Sequence, residues 1–471
     1  MGALTTGVAA AQSDGNADQN DSATATPAFA AHPAVEEIVV TAQKRAQNLQ
    51  DVPISINALS SEDLAERGIG TVTDLQYATP GLIIDEVGSF PIIYLRGVGT
   101  DAFIPSADMS VANYVDGVYF PSSLSLVKSL SSVERVEVIK GPQGTLFGRN
   151  ATGGAISVVT REPSEDEYTG SLELGYGSFD HFTQRMFVSG PVLDTVSFSL
   201  AGLYDMKNDY YDLAPESPVD NLRDEREIAG NAKLRWAPSE WFDATASFFG
   251  GDVQGVAGAI WVNERPSLLA SLLGGQAAQR DYEYTGDLSP KYFNTSYVGS
   301  LTANLRPGPF DVKSITAYQD MVARTFFELD GTSVPIMSNE SHPTKDGLIA
   351  KIFTQEVQLL SNEEGWLASL DLEWIAGFYF LNSTAGFPDL GLRIAGGLPT
   401  ELLPGFSGGL LFHTSGLVDT KSYAGFAQTT WSPTSWFDLT LGGRYQHEQR
   451  RVYRADADLV LEDEAGGESF V

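Results

Sequence analysis

A chain of 471 residues with 42 % hydrophobic residues, 11 % aromatics and 47 glycines is long enough for two or three folded units rich in turns. Its formal net charge of −32 excludes a phosphate backbone as the natural partner, and the lack of cysteine excludes disulfide frameworks, thiolate metal sites and thiol catalysis. No run of about eighteen apolar residues occurs, which excludes a helical membrane span but not a barrel span, whose strands need only about ten alternating residues.

In chain order, residues 1–11 read as the remnant of an export signal, small and apolar and ending on Ala9, Ala10 and Ala11. Residues 12–34 are mostly Ala, Ser, Thr, Asp and Asn without periodicity. They bury too little surface to offset chain entropy and are expected to form a disordered tether. A β-prone patch follows, Glu36-Glu37-Ile38-Val39-Val40-Thr41-Ala42, flanked by the polar stretch 43–50. A lone strand of this kind needs a partner edge.

Residues 50–162 show the mixed pattern of a compact α+β domain. Ser60 with Asp63 three positions on predicts a helix start, and Gly68 its end. Residues 73–78 read as a second helix stopped by Pro80 and Gly81. Short strands are expected near residues 92–95, 114–115, 133–139 and 156–160, separated by glycine turns.

Beyond residue 168 the pattern becomes alternating. Phe437, Leu439, Leu441 and Tyr445 share one face of a strand, with Asp438, Thr440 and Arg444 on the other. Phe242, Ala244, Ala246 and Phe248 oppose Asp243, Thr245 and Ser247; Val196, Phe198, Leu200 and Tyr204 oppose Ser197 and Ser199, with Leu203 breaking the polar face. About eleven such segments are expected. A soluble sandwich also alternates, so the connections discriminate. Those at 190–194, 237–241, 307–310 and 432–436 are tight, whereas those at 208–221, 252–289, 328–346 and 382–419 are long. Sorting of turns by parity is a property of outer-membrane barrels. Trp236 and Trp241 flank one tight turn and Trp431 and Trp436 another, as an aromatic girdle at a membrane boundary requires.

The stretch VERVEVIKGPQGTLFGRNATGGAISVVTR at 133–161 closely resembles the end of the plug domain of TonB-dependent outer-membrane receptors. Leu95-Arg96-Gly97-Val98-Gly99 resembles the same domain, and EEIVVTAQ at 36–43 resembles the family's TonB box. The likeness is strong over 36–161 and weaker in the strands that follow. It implies an α+β plug followed by an antiparallel transmembrane β-barrel in the outer membrane of a Gram-negative bacterium. Residues 168–471 would supply about half of a 22-stranded barrel.

The resemblance also assigns roles. Residues 35–44 would be the TonB box, with Glu37, Ile38, Val39, Val40, Thr41 and Ala42 pairing with TonB, which acts with ExbB and ExbD. Arg96 and Lys140 would meet Glu356 of the barrel wall in a charge latch, and Asp101, Phe103 and Asp108 would lie at a plug apex near the ligand. The function implied is active import, with a ferric siderophore as the default ligand and cobalamin, other chelates, sugars and aromatic compounds open. The apolar, glycine-rich stretch 390–412 would be one of the loops that choose it.

An open half-barrel in lipid would leave two edges of unpaired amides, at a cost of tens of kcal/mol. A truncated, non-transporting remnant is therefore the competing reading, and the acidic stretch 459–467 reads as the start of an outer loop. A passive porin is disfavoured because it needs neither plug nor box. His32, His181, His342, His413 and His447 fall in no metal-ligand spacing, and neither an enzymatic site, a cofactor nor a metal is expected.

Overall fold

The computed structural model describes residues 39–470 apart from 88–89, 102–103, 123–131, 209–210, 221, 223, 257–265, 267, 281–282, 335, 342–346, 363, 366–367, 395–408, 435 and 463–467. The expected signal remnant, the tether and the first box residues, Glu37 and Ile38 included, lie outside the described residues.

The plug is built from short elements: β1 (Val39–Val40), β2 (Gln47–Asn48), β3 (Ile56–Ser60), α1 (Ser61–Glu66), α2 (Leu75–Ala78), β4 (Leu82–Val87), β5 (Phe90–Leu95), β6 (Val98–Gly99), β7 (Val111–Val115), β8 (Val118–Phe120), β9 (Val133–Lys140), α3 (Gly144–Phe147) and β10 (Gly154–Thr160). The central sheet has the order β3-β9-β10-β7-β8, parallel only between β10 and β7. Both faces of β9 are covered along its second half, so Val136 and Val138 on one face and Glu137 and Ile139 on the other are all buried. Val136 and Val138 form one apolar core with Leu75, Leu95, Val111 and Ile156.

Local chemistry sets the element ends. The Ser60 Oγ accepts the Asp63 N–H at 3.1 Å and the Asp63 carboxylate accepts the Ser60 N–H at 3.1 Å, a reciprocal cap at the start of α1. The helix stops two residues before Gly68, which adopts φ +66°. Gly154 at φ +143° opens β10, and a Cβ there would stand 2.1 Å from the Ile139 carbonyl oxygen. Only glycine fits that crossing.

A single 13-stranded sheet faces the plug. Its strands are β11 (Thr169–Tyr176), β12 (Phe182–Leu193), β13 (Val196–Lys207), β15 (Glu225–Ser239), β16 (Phe242–Gly255), β18 (Lys291–Leu305), β19 (Asp311–Glu328), β20 (Met337–Ser341), β21 (Leu348–Leu360), β22 (Leu372–Ile394), β23 (Gly409–Thr434), β24 (Phe437–Glu462) and β25 (Glu468–Phe470). Eleven of these have eight residues or more, and β20 and β25 are short additions. The remaining pieces, β14 (Asp212–Leu213), α4 (Leu268–Leu272) and β17 (Glu283–Tyr284), belong to connections. All sheet neighbours are antiparallel, and the sheet is open, with β11 at one edge and β24 with β25 at the other.

The sheet's burial is inverted relative to a soluble protein. Leu200, Leu234, Phe248, Leu301 and Phe378 are about half exposed on the convex side, while Ser197, Ser199, Lys233, Asp243, Gln319, Glu356 and Gln358 are buried on the other. A water-facing sheet would have the opposite arrangement. Trp236, Trp241, Trp431 and Trp436 are all exposed beside the tight turns, not packed into a core.

The connections keep the expected parity with one exception at each rim. Turns at 194–195, 240–241, 306–310 and 435–436 lie at one rim, and connections at 208–224, 256–290 and 329–347 at the other. Residues 177–181 form a tight hairpin at the long-loop rim, and 361–371, with a short 3-10 turn at Ala368–Leu370, make a longer link at the tight rim. The expected connection at 382–419 is largely strand: β22 runs to Ile394 and β23 starts at Gly409. Glycine and proline at 386–388 form a bulge instead of a turn, with a register shift between Phe387 and Leu390. Gly386 has φ +142°, and a Cβ would lie 1.9 Å from the Gly416 carbonyl oxygen. Of the expected loop at 390–412, residues 395–408 lie outside the described residues. Strands of 26 residues are more than twice the length that crosses a bilayer, so β23 and β24 project well past the apolar belt.

Leu75, the first residue of α2, is fully buried. Leu75→Ala should destabilise the plug by about 2–5 kcal/mol, read as lost hydrogen-exchange protection in β9 and β10 with the amides of β15 to β19 unchanged.

Candidate functional site

The first described residues run along the plug and tie it to the wall. Val39 is 46 % exposed and Val40 fully buried, and they pair with Asn48 and Gln47 of β2. The chain reverses through Lys44, at φ 59°, whose N–H donates to the Thr41 carbonyl at 2.8 Å. Thr41 in turn donates its N–H to the Glu137 carboxylate at 2.8 Å, and Arg135 Nε donates to the same oxygen at 2.8 Å. Glu137, on the central plug strand β9, is fully buried and owes its charge balance to these donors.

The next two residues bind the wall. The Lys44 ammonium forms an ion pair with Glu356 of β21, and it lies 5.1 Å from the Phe426 ring centroid, 5.8 Å from Phe147 and 5.9 Å from Tyr114. Burial lowers the Lys44 pKa from its ordinary value despite the opposing pull of Glu356. Desolvation thus outweighs the partner's attraction, so the pair is costly to break one-sidedly yet contributes little net stability. Arg45 donates to the Ser361 Oγ at 2.7 Å and to the Trp374 carbonyl oxygen.

These contacts revise the expected latch. Glu356 is buried in the wall, but its partners are Lys44 and the Gln358 amide at 2.7 Å. Arg96, in the left-handed region at φ 52°, is exposed and donates to the Ser55 Oγ at 3.0 Å. Lys140 stands near Arg96, and burial together with that neighbouring cation lowers its pKa. The sequence offered no sign that a residue 312 positions before Glu356 would supply its counter-charge. A second clamp also escaped the sequence reading. Lys233 of β15 is buried on the inner face and donates to Glu162 at 2.8 Å and to the Thr160 carbonyl at 3.2 Å, with Asp116 at 3.2 Å. Its alternation with outward Leu234 was the available signal.

At the expected apex, Phe103 lies outside the described residues and Asp101 is exposed. Asp108 accepts a hydrogen bond from Arg149 at 2.8 Å and pairs with Arg450 of β24. Glu448 accepts from both arginines, at 2.9 Å and 2.8 Å, which closes a four-membered ring of alternating charge from plug to wall.

Among the cavities between plug and wall, two meet at Lys44. One, of about 70 Å³, lies on the long-loop side against Asp108, Arg149 and Arg450. The other, of about 480 Å³, lies on the tight-turn side against Asp243, Asn304, Arg306 and Lys313. Lys44, Tyr114 and Phe147 line both and form the partition between them. The Tyr114 hydroxyl donates to the Phe147 carbonyl at 2.9 Å, the rings meet edge to face at 5.2 Å, and burial drives the Tyr114 pKa well above its ordinary value.

Residues 48–155 match the model of the TonB-dependent Receptor Plug Domain family. The chain carries a TonB-dependent receptor plug within a partial barrel. The chain is 34 % identical over 209 residues to the pesticin receptor of Yersinia pestis, a stretch covering 43 % of this chain and 30 % of that protein. It is 32 % identical over 179 residues to the iron-regulated outer membrane virulence protein of Vibrio cholerae, covering 36 % and 27 %. The fold is similar to that of the ferric yersiniabactin uptake receptor of Yersinia pestis, with a TM-score of 0.68 at 21 % identity over 89 % of this chain and 60 % of that one. The matched stretches thus span about a third of the curated relatives.

In this receptor plug the segment after β1 is fastened by Lys44 and Arg45, both sites for trypsin. Glu356→Gln leaves the Lys44 ammonium buried without its charge partner, a loss of about 3–5 kcal/mol. Limited trypsin digestion of the variant should cleave after Lys44 and Arg45 well before the parent protein does.

Proposed function

We propose that the chain forms the plug and wall of an importer that carries a ferric siderophore across the outer membrane on work delivered by TonB with ExbB and ExbD. The relatives' names support the ligand class: pesticin receptor, iron-regulated outer membrane virulence protein, ferric yersiniabactin uptake receptor. The carrying observation is the placement of Lys44: four residues after Val40, paired to the wall through Glu356, and standing between two cavities that lie on opposite sides of it.

TonB would pair with residues 37–42 as an added strand. Among the described residues β1 has a single strand partner, β2, and its release from Glu137 would free the other edge for addition. Backbone hydrogen bonds along that strand resist a pull along its axis, so tension passes to Thr41, Lys44 and Arg45. Withdrawing Lys44 takes one of three walls from the partition and joins the outer cavity to the inner one. The poor net energetics of the Lys44–Glu356 pair suit a fastening that must open under load. Arg149 and Arg450, which share Asp108, would offer planar cations to an anionic chelate at the mouth, with Asp101 on the same plug apex. Arg96 and Lys140 would offer cations to acidic groups of a facing wall, and the apolar belt would face outer-membrane lipid.

Val39→Pro removes a ladder donor and should abolish uptake of ⁵⁵Fe-labelled siderophore by cells while leaving surface binding intact. The chain has no cysteine, so Lys44→Cys with Glu356→Cys can be bridged by a short bismaleimide without side reactions. Bridged protein should bind but not transport, and the unbridged double variant should do both. Undiminished uptake after complete bridging would refute the release of this segment as the opening step.

A further inference from the structure

At the long-loop rim the tertiary structure gathers three acids that the sequence keeps apart. β17 pairs in parallel with β14, which ties the 256–290 connection to the 208–224 connection. Asp287 follows β17, Glu328 is the last residue of β19, and Asp330 lies two positions on. One carboxylate oxygen from each lies within 4.8 Å of the other two.

Glu328 is the informative member. It is 1 % exposed, its Oε1 accepts the Asp330 N–H at 3.0 Å, and its Oε2 is buried with no N–H donor in reach among the described residues, while the Asp287 carboxyl stands close enough to the Glu328 carboxyl to share a proton with it. It cannot swing away to water: Gly286 packs on it so closely that a Cβ there would stand 2.8 Å from the Glu328 Cγ. A buried carboxylate oxygen without a donor requires either a proton or a cation. The surrounding loop is already ordered for the second alternative. Asp330 accepts the N–H groups of Thr332, Ile336 and Met337 at 3.1, 3.1 and 2.8 Å, so its carboxylate is fixed before any ion arrives.

We propose that Asp287, Glu328 and Asp330 bind a hard divalent cation, calcium, which staples the 256–290 and 329–347 connections together at the mouth of the lumen. Oxygens on one calcium sit about 2.4 Å from it, so any two of them are at most about 4.8 Å apart, a bound that the three carboxylates meet. The donor set holds neither nitrogen nor sulfur, which disfavours zinc, copper and nickel, and calcium accepts irregular oxygen cages that magnesium does not. Backbone carbonyls and water complete such a sphere. The expected affinity is that of extracellular calcium modules, on the order of 0.1–1 mM. The inference goes beyond iron import and does not rest on it. The three acids are not legible as a group in the sequence because residue 287 and the pair 328 and 330 come from different loops, so no spacing rule could join them.

Tyr284, one turn of strand before the cluster, provides an antenna for a lanthanide probe. Terbium added to the full chain in detergent micelles should give saturable tyrosine-sensitised luminescence that calcium displaces. Glu328→Gln and Asp287→Asn should each weaken terbium and calcium binding about tenfold or more, while Glu173→Gln, on the exposed edge strand β11, should not. Calcium should also slow hydrogen exchange at 283–288 and 328–337 in the parent protein alone. Absence of saturable luminescence, failure of calcium to displace it, or equal affinity in the variants would overturn the proposal and leave a shared proton as the compensation. Should Glu328→Gln fail to fold, the parent titration and Asp287→Asn decide the question.

Discussion

A backbone amide in hydrocarbon has no water to fall back on, and the wall of this protein is arranged around that constraint. Every strand of the wall sheet from β12 to β23 has a hydrogen-bonded neighbour on each side, and the side chains sort themselves by what lies beyond them. Leu200, Phe248 and Leu301 face outward, where a soluble protein would place charge, while Lys233, Gln319 and Glu356 are buried against the plug. The inversion leaves the plug as the only body that can satisfy the inner face. The Gln319 amide donates to the Tyr119 carbonyl at 2.8 Å, and Lys233 meets Asp116 and Glu162.

Polar and charged contacts thus join plug and wall beside apolar ones such as the Phe90 ring, which meets Tyr292 of the wall edge to face at 5.4 Å. The charged contacts are geometrically strict and energetically modest, because each charge surrendered its hydration to form them. An apolar interface of the same extent would hold harder and release less cleanly. The apolar binding energy of the plug is kept inside it, in the cluster around Leu75, Val136 and Ile156, so the domain retains its own core whatever happens at its surface. The chain thus separates what must stay folded from what must move. Lys44 sits at the boundary, anchored to the wall through Glu356 and packed on three aromatic rings.

The long-loop rim follows another logic. β23 and β24 carry hydrogen-bonded ladder well beyond the apolar belt, and β14 and β17 cross-link the connections above. Loops that form a mouth must be ordered without a core of their own, and here the order comes from strand extension, from the Asp330-centred turn and from the carboxylate cluster around Glu328.

The sequence by itself determined the period of each segment and hence the architecture. Alternation at 196–204 and 242–248 assigned strands and their faces, the Ser60–Asp63 cap placed α1, and the plug motif at 133–161 identified the domain the wall surrounds. Those features are local: a strand's faces follow from a two-residue repeat and a cap from a three-residue spacing. The long connection expected at 382–419 is largely strand, because glycine and proline at 386–388 permit a bulge, and the pairing of β22 with β23 carries the ladder past it. Only the tertiary structure decided which charges meet. Glu356 takes Lys44 and not Arg96 or Lys140, Asp108 is shared by Arg149 and Arg450, and Asp287 finds Glu328, since long-range electrostatic pairs are set by register and loop path, to which neighbours in sequence carry no clue.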